Sequence, residues 1–129
     1  MDPGKSISLQ DAYEKLEFLS DRTPHTTPEQ SAIAFATLAK YRDGAVFIGH
    51  YAGNSEWERH SNGDEFVMVV DGETTLVLLL DNEEVRHTLT ENQFLVVPQG
   101  TWHRFETPTG VKIMTITPQP TDHSIDRPE

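Results

Sequence analysis

From Ile33 to Thr117 the chain is a succession of short runs rich in Val, Ile, Phe, Thr and Leu, broken by Gly, Pro, Asn and Asp. Such a texture specifies strands joined by tight turns. The expected strands are Ile33–Leu38, Ala45–Tyr51, Glu56–His60, Glu65–Val70, Thr74–Leu80, Val85–Leu89, Gln93–Val97, His103–Glu106 and Val111–Thr117. Arg42-Asp43-Gly44, Asn62-Gly63-Asp64, Asp71-Gly72, Asp81-Asn82, Pro98-Gln99-Gly100 and Thr109-Gly110 supply the turns. About nine closely spaced strands predict an all-β antiparallel sandwich or barrel.

Before that region, Ser8 and Asp11 form a helix-start signal. Leu9, Ala12, Tyr13, Leu16 and Leu19 recur at helical spacing, so one short helix is expected over about Leu9–Ser20. Residues 1–8 read as a frayed arm, and Asp21–Gln30, with two prolines, as a connector. The proline-rich stretch after Pro118 reads as a tail, draped or disordered. The expected organisation is one domain: arm, helix and connector over 1–30, barrel over 31–117, tail over 118–129.

Composition narrows the chemistry. Without cysteine there are no disulfides, iron–sulfur clusters or thiolate zinc sites. A net charge of −11 opposes phosphate backbones and anionic lipid, so neither nucleic acid nor membrane is an expected partner. No apolar run approaches a membrane span, and the first ten residues carry no apolar signal region, so a cytoplasmic protein is expected.

Two segments stand out. In Glu56-Trp57-Glu58-Arg59-His60, strand alternation puts Glu56, Glu58 and His60 on one face, with Trp57 and Arg59 on the other. Asn62-Gly63 can make a tight turn that brings a strand opening on Glu65 back alongside. The second segment is Pro98-Gln99-Gly100-Thr101-Trp102-His103, a turn that runs into a strand at His103. Phe105 and Thr107 share the face of His103, and one of His50 and Tyr51 should face the interior. His25, His87 and His123 read as surface residues, and Trp57 and Trp102 as packing outside the cavity.

With these residues the chain resembles the cupin superfamily. His60, Glu65 and Gly72 fit the later part of the first cupin motif, G-x5-H-x-H-x3-4-E-x6-G. Pro98, Gly100 and His103 fit the core of the second, G-x5-P-x-G-x2-H-x3-N. The sequence departs from the pattern at Ala52, Glu58, Asn92 and Thr107, which stand where the motifs have Gly, His, Gly and Asn. The resemblance implies a jelly-roll barrel, a double-stranded β-helix. It also implies one divalent ion inside, held by Glu58, His60, Glu65 and His103. Mixed N/O ligation suits Fe, Mn, Zn or Ni, and the two carboxylates would balance the ion's charge. The competing reading is a cupin pocket that has kept its fold and lost its metal, with Glu58 turned to solvent.

The function expected from these residues is a small metal-dependent enzyme acting on a small polar metabolite, of dioxygenase, isomerase or lyase type. Glu58 or Glu56 would move the proton. The alternative is a non-catalytic module that binds a small molecule or a metal. Phe66–Val70 and Leu76–Leu80 are apolar on both strand faces, which predicts a homodimer.

Overall fold

The structure is a computed structural model and describes residues 4–129. The first three residues of the expected arm lie outside the described residues. Strand β2 is Phe35–Tyr41, β3 Gly44–Asn54, β4 Trp57–His60, β5 Glu65–Leu80, β6 Glu83–Thr90, β7 Phe94–Val97 and β8 His103–Pro118. Helix α1 (Leu9–Glu14), strand β1 (Leu19–Arg22) and the short helix α2 (Pro28–Ser31) precede them, and β9 (Thr121–Ser124) follows.

Strands β5 and β8, each of 16 residues, organise the molecule. They run antiparallel and bend together, so that each contributes half its length to each of two layers. In one layer the first half of β5 pairs with β7 and with the second half of β8, which continues to β3. In the other, the second half of β5 pairs with β6 and with the first half of β8, which neighbours β4 and then β9. This is the expected all-β jelly roll with a short N-terminal helix. Inward-facing Val67, Val69, Leu76, Leu78, Phe105 and Ile113 fill the space between the layers.

The expected breaks at Asp71-Gly72 and Thr109-Gly110 are therefore not turns between strands. They are register shifts where the two long strands fold over. Gly72 and Gly110 both have positive φ, and a Cβ on Gly72 would meet the Gly110 carbonyl oxygen at 2.3 Å. Asp81-Asn82, by contrast, closes a true two-residue hairpin between β5 and β6, both residues having positive φ as such turns require.

The N-terminal region departs from expectation. Helix α1 ends at Glu14, because Leu19 is spent instead on β1, which pairs in parallel with β3. The connector contains α2, started by Pro28 and a reciprocal capping box between Thr27 and Gln30. The tail is no loose end: β9 pairs with β4 residue by residue, from Trp57↔Ser124 to His60↔Thr121.

Candidate metal centre

Three side chains from three strands meet inside the barrel. His60 closes β4, Glu65 opens β5 and His103 opens β8, and all three are buried. Their ligand-type atoms lie within 4.8 Å of one another. The two turns that carry them are laced together. The Gly100 N–H donates to the His60 carbonyl at 2.9 Å, the Gln99 N–H to Asp64 Oδ1 at 2.7 Å, and Gln99 Nε2 to the Ser61 carbonyl at 2.8 Å. The Asn62-Gly63 turn does not build the expected hairpin. Strand β4 pairs with β8 and β9, and the first half of β5, which opens on Glu65, lies in the other layer, so Glu65 reaches His60 across the barrel interior.

Hydrogen bonds on the far side of each ring fix its orientation. His103 Nδ1 donates to the Thr101 carbonyl at 2.9 Å, which turns Nε2 toward Glu65 Oε1 at 3.0 Å. His60 Nδ1 lies 2.9 Å from Thr121 Oγ1, whose own proton goes to Gln119 Oε1. In the tautomer in which Nδ1 donates to Thr121, Nε2 turns a lone pair to the interior. That nitrogen is buried, has no hydrogen-bond partner, and faces Glu65 Oε2 at 3.4 Å. A lone pair opposed to a carboxylate oxygen is unfavourable unless a cation lies between them. Thr117 Oγ1 donates to Glu65 Oε2 at 2.6 Å, and Thr115 backs Thr117 at 2.8 Å.

Burial raises the Glu65 pKa, but the hydrogen bond and charge of His103, with His60 beside it, outweigh burial and hold it at about 2. Burial lowers His103, and the hydrogen bond and charge of Glu65 more than reverse this, leaving it above its ordinary value. In the metal-free centre the Glu65 carboxylate is therefore held chiefly by His103, with His60 Nε2 beside it. A divalent ion fits this set: His60 Nε2, the Glu65 carboxylate and His103 Nε2 would hold it. The residues are two imidazoles with outer hydrogen bonds already in place and one carboxylate, which is sound divalent-metal chemistry.

The centre opens into a cavity of about 540 Å³, whose walls include Phe35, Phe47, Tyr51, Phe105 and Arg22. Glu58 lines the same cavity, but its carboxylate is outside the cluster of ligand atoms. It lies one pleat before His60, further along the wall. Glu56 is not in the lining. It precedes β4, and its Oε1 is 2.7 Å from His123 Nδ1. His123, read from the sequence as a surface residue, reaches the cavity rim from β9, half of its side chain still exposed. The choice between His50 and Tyr51 falls to Tyr51, which is buried on the cavity wall, while His50 faces outward against Phe18. Burial lifts the Tyr51 phenol above its ordinary range, against the pull of the Arg22 charge and a hydrogen bond with Thr107. Trp57 and Trp102 pack outside, under Arg104 and Arg59 respectively. Sequence reasoning missed Thr117, Thr121 and Arg22. A lone threonine or arginine carries no spacing signal, and two of the three lie in segments read as tail and connector.

Comparison with known proteins agrees with this architecture. The cupin domain family matches residues 48–117, which is more than half of the chain. The chain belongs to the cupin family. It is similar to the protein YdbB of Bacillus subtilis, 30% identical over 69 residues, which is 53% of this chain and 58% of that protein. The chain spans about half the length of the curated relatives it matches. Among solved structures, it resembles a cupin-2 domain protein of Shewanella frigidimarina at a TM-score of 0.65 and 19% identity, over 88% of this chain and 94% of that one. It also resembles the hydroquinone 1,2-dioxygenase PnpCD, solved with Cd²⁺ and 4-hydroxybenzonitrile, at a TM-score of 0.56 and 22% identity, over 65% and 63% of the two chains. Among the described residues, no helix is long and apolar enough to cross a membrane.

Proposed function

We propose that this chain is a metal-dependent enzyme that acts on a small polar molecule in the barrel cavity, of the dioxygenase type. The observation that carries the reading is His60 Nε2, buried, unpaired and aimed at Glu65 beside His103. Two histidines and one carboxylate would hold a divalent ion, and they are the ligand set of non-haem Fe(II) oxygenases. The dioxygenase of similar fold supports the same direction. His60, Glu65 and His103 are the metal ligands in this reading. The ion supplies Lewis acidity and, if iron, redox chemistry.

The chain's own residues then divide the remaining work. Phe47, Phe105 and Ile113 give the cavity an apolar lining on both layers, which excludes water. Glu58 has no ion-pair partner among the described residues and faces the cavity, so it is the carboxylate placed to move a proton. Glu56, bound to His123, holds the rim strand instead and gives up the proton-transfer role considered for it. Metal analysis of protein purified without an immobilised-metal column tests the reading. One equivalent of Fe, Mn, Zn or Ni supports it, and protein that neither carries nor takes up a divalent ion refutes it. Oxygen uptake with a phenolic panel then separates an enzyme from a non-catalytic binding module.

We also propose a cytoplasmic homodimer. Phe94 and Val96 are exposed on the outer face of β7, beside Phe66 and Met68 of β5, with the Phe66 and Phe94 rings 5.0 Å apart. A two-fold pairing of this face would remove them from water. Sedimentation equilibrium at micromolar concentration should give twice 14.6 kDa, and a species of 14.6 kDa refutes the dimer.

A further inference from the structure

We infer that Arg22 is the anchor for a carboxylate group on the ligand, so that the cavity takes a small organic acid with a flat apolar body. The inference deepens the proposed function and rests on the same cavity. Arg22 ends β1, and its guanidinium lies over the rings of Phe35, at 5.0 Å, and Tyr51, at 4.6 Å. One part of the guanidinium edge hydrogen-bonds the Tyr51 hydroxyl, and with five N–H donors it keeps others for a charge-assisted contact to a carboxylate. Among the described residues no carboxylate lies within 4 Å of it, although the chain has 21 acidic residues and Arg59, Arg86, Arg104 and Arg127 each have such a partner; Arg42, also without one, is exposed in a turn away from the cavity. A half-buried cation on a cavity wall, with aromatic rings beside it and no counter-ion, matches an anionic ligand.

The position is built into the backbone. Strand β1 lies parallel to β3 with Arg22 opposite Gly53. Gly53 has φ of +112°, and a Cβ there would fall 2.1 Å from the Arg22 carbonyl oxygen. Only glycine lets β1 approach closely enough to deliver Arg22 to the cavity wall. Around it, Phe35, Phe47, Tyr51 and Phe105 give the cavity room for a planar apolar group. With a divalent ion at His60, Glu65 and His103, the cavity walls carry a net positive charge, because Glu58 and Glu65 together do not balance the ion and Arg22.

The test compares benzoate with benzamide, which share a shape and differ in charge, by calorimetry on the full-length protein. Wild type and Arg22→Gln are each measured as purified and after chelation, with metal content and melting temperature recorded. Wild type should prefer benzoate by about tenfold or more, the scale of a charge-assisted forked contact. Arg22→Gln should lose that preference while its metal content and fold are unchanged. Arg22→Lys should recover part of it, because it keeps the charge without the fork. If Arg22→Gln keeps the full preference, or if wild type does not discriminate between the probes, including by binding neither, the inference is wrong. Chelated protein separates this from the metal reading. A preference that survives chelation and depends on Arg22 supports the anchor even where no metal is found. A preference that vanishes on chelation but ignores Arg22 assigns the acid to the metal and overturns the anchor.

Discussion

Strand β8 carries two clusters of charged residues on opposite faces. Inward, His103 meets Glu65 and His60 in a site where all three are buried. Outward, the next residue, Arg104, joins Glu106 at 2.6 Å and Glu84 at 3.6 Å, and Arg86 and Arg127 complete a network with the same two acids. Both set basic side chains against glutamates at similar distances, but the surroundings differ. The outer pairs exchange partners with water, and such pairs contribute roughly 0–1 kcal/mol each. The inner groups have no water to fall back on, so every lone pair and proton must be matched. Strand alternation alone separates an inconsequential network from the chemical centre.

Breaking the inner cluster should have the largest effect. Glu65→Ala leaves the buried His103 without its partner and should abolish metal uptake. It should also lower the stability of the metal-free protein by about 3–5 kcal/mol in urea denaturation, the scale for a broken buried pair. His60→Ala with His103→Ala should likewise remove the metal, and stoichiometric metal in that double variant would falsify the assignment.

The pH profile of the metal-free protein is the next test. Glu65 is held at about 2, below its ordinary 4.5, so its contribution is present above 4.5 and is lost as pH falls toward 2. His103 is held above its ordinary 6.5, so its contribution is complete below 6.5 and is lost as pH rises through its folded value. Stability should therefore crest between about pH 4.5 and 6.5, and Glu65→Gln should flatten the crest. Metal loading should run the other way, falling below about pH 6 as protons compete for the histidines.

A milder change acts behind the ligands. Thr121→Val removes the hydroxyl that takes the His60 Nδ1 proton, and divalent-metal affinity should fall about 10- to 100-fold while circular dichroism is unchanged. The smallest effect is expected outside: Arg86→Ala, half exposed in the same network, should cost no more than about 1 kcal/mol and leave metal content intact. A larger loss there would erase the contrast between the two faces of β8.

The barrel was legible because its strands announce themselves by composition and by hard turns such as Asp81-Asn82. Merging four expected strands into β5 and β8 was not legible, because a glycine that bends a strand and a glycine that ends one look the same in sequence. The cap at Thr27, Pro28 and Gln30 was readable, yet two nearby prolines favoured a connector. At the site, His60, Glu65 and His103 stood out by spacing. Glu58 had the right parity and the wrong depth, which alternation does not encode. Thr121 and Arg22 reach the cavity only through the pairing of β9 with β4 and of β1 with β3, and long-range pairing of four-residue strands leaves little trace in the residues themselves.

The placement of β9 gives the protein a weak seam beside its most consequential atoms. Among the described residues this four-residue strand pairs with β4 alone, and its Thr121 hydroxyl steers one of the histidines. Short edge strands open at much lower free energy than a barrel core, so the backbone amides of β9 should exchange with deuterium long before those of β5 and β8. Each such opening frees the His60 ring to rotate while the jelly roll stays closed. Readiness of the site can therefore be lost and regained without any unfolding of the domain, on the timescale of one fraying strand.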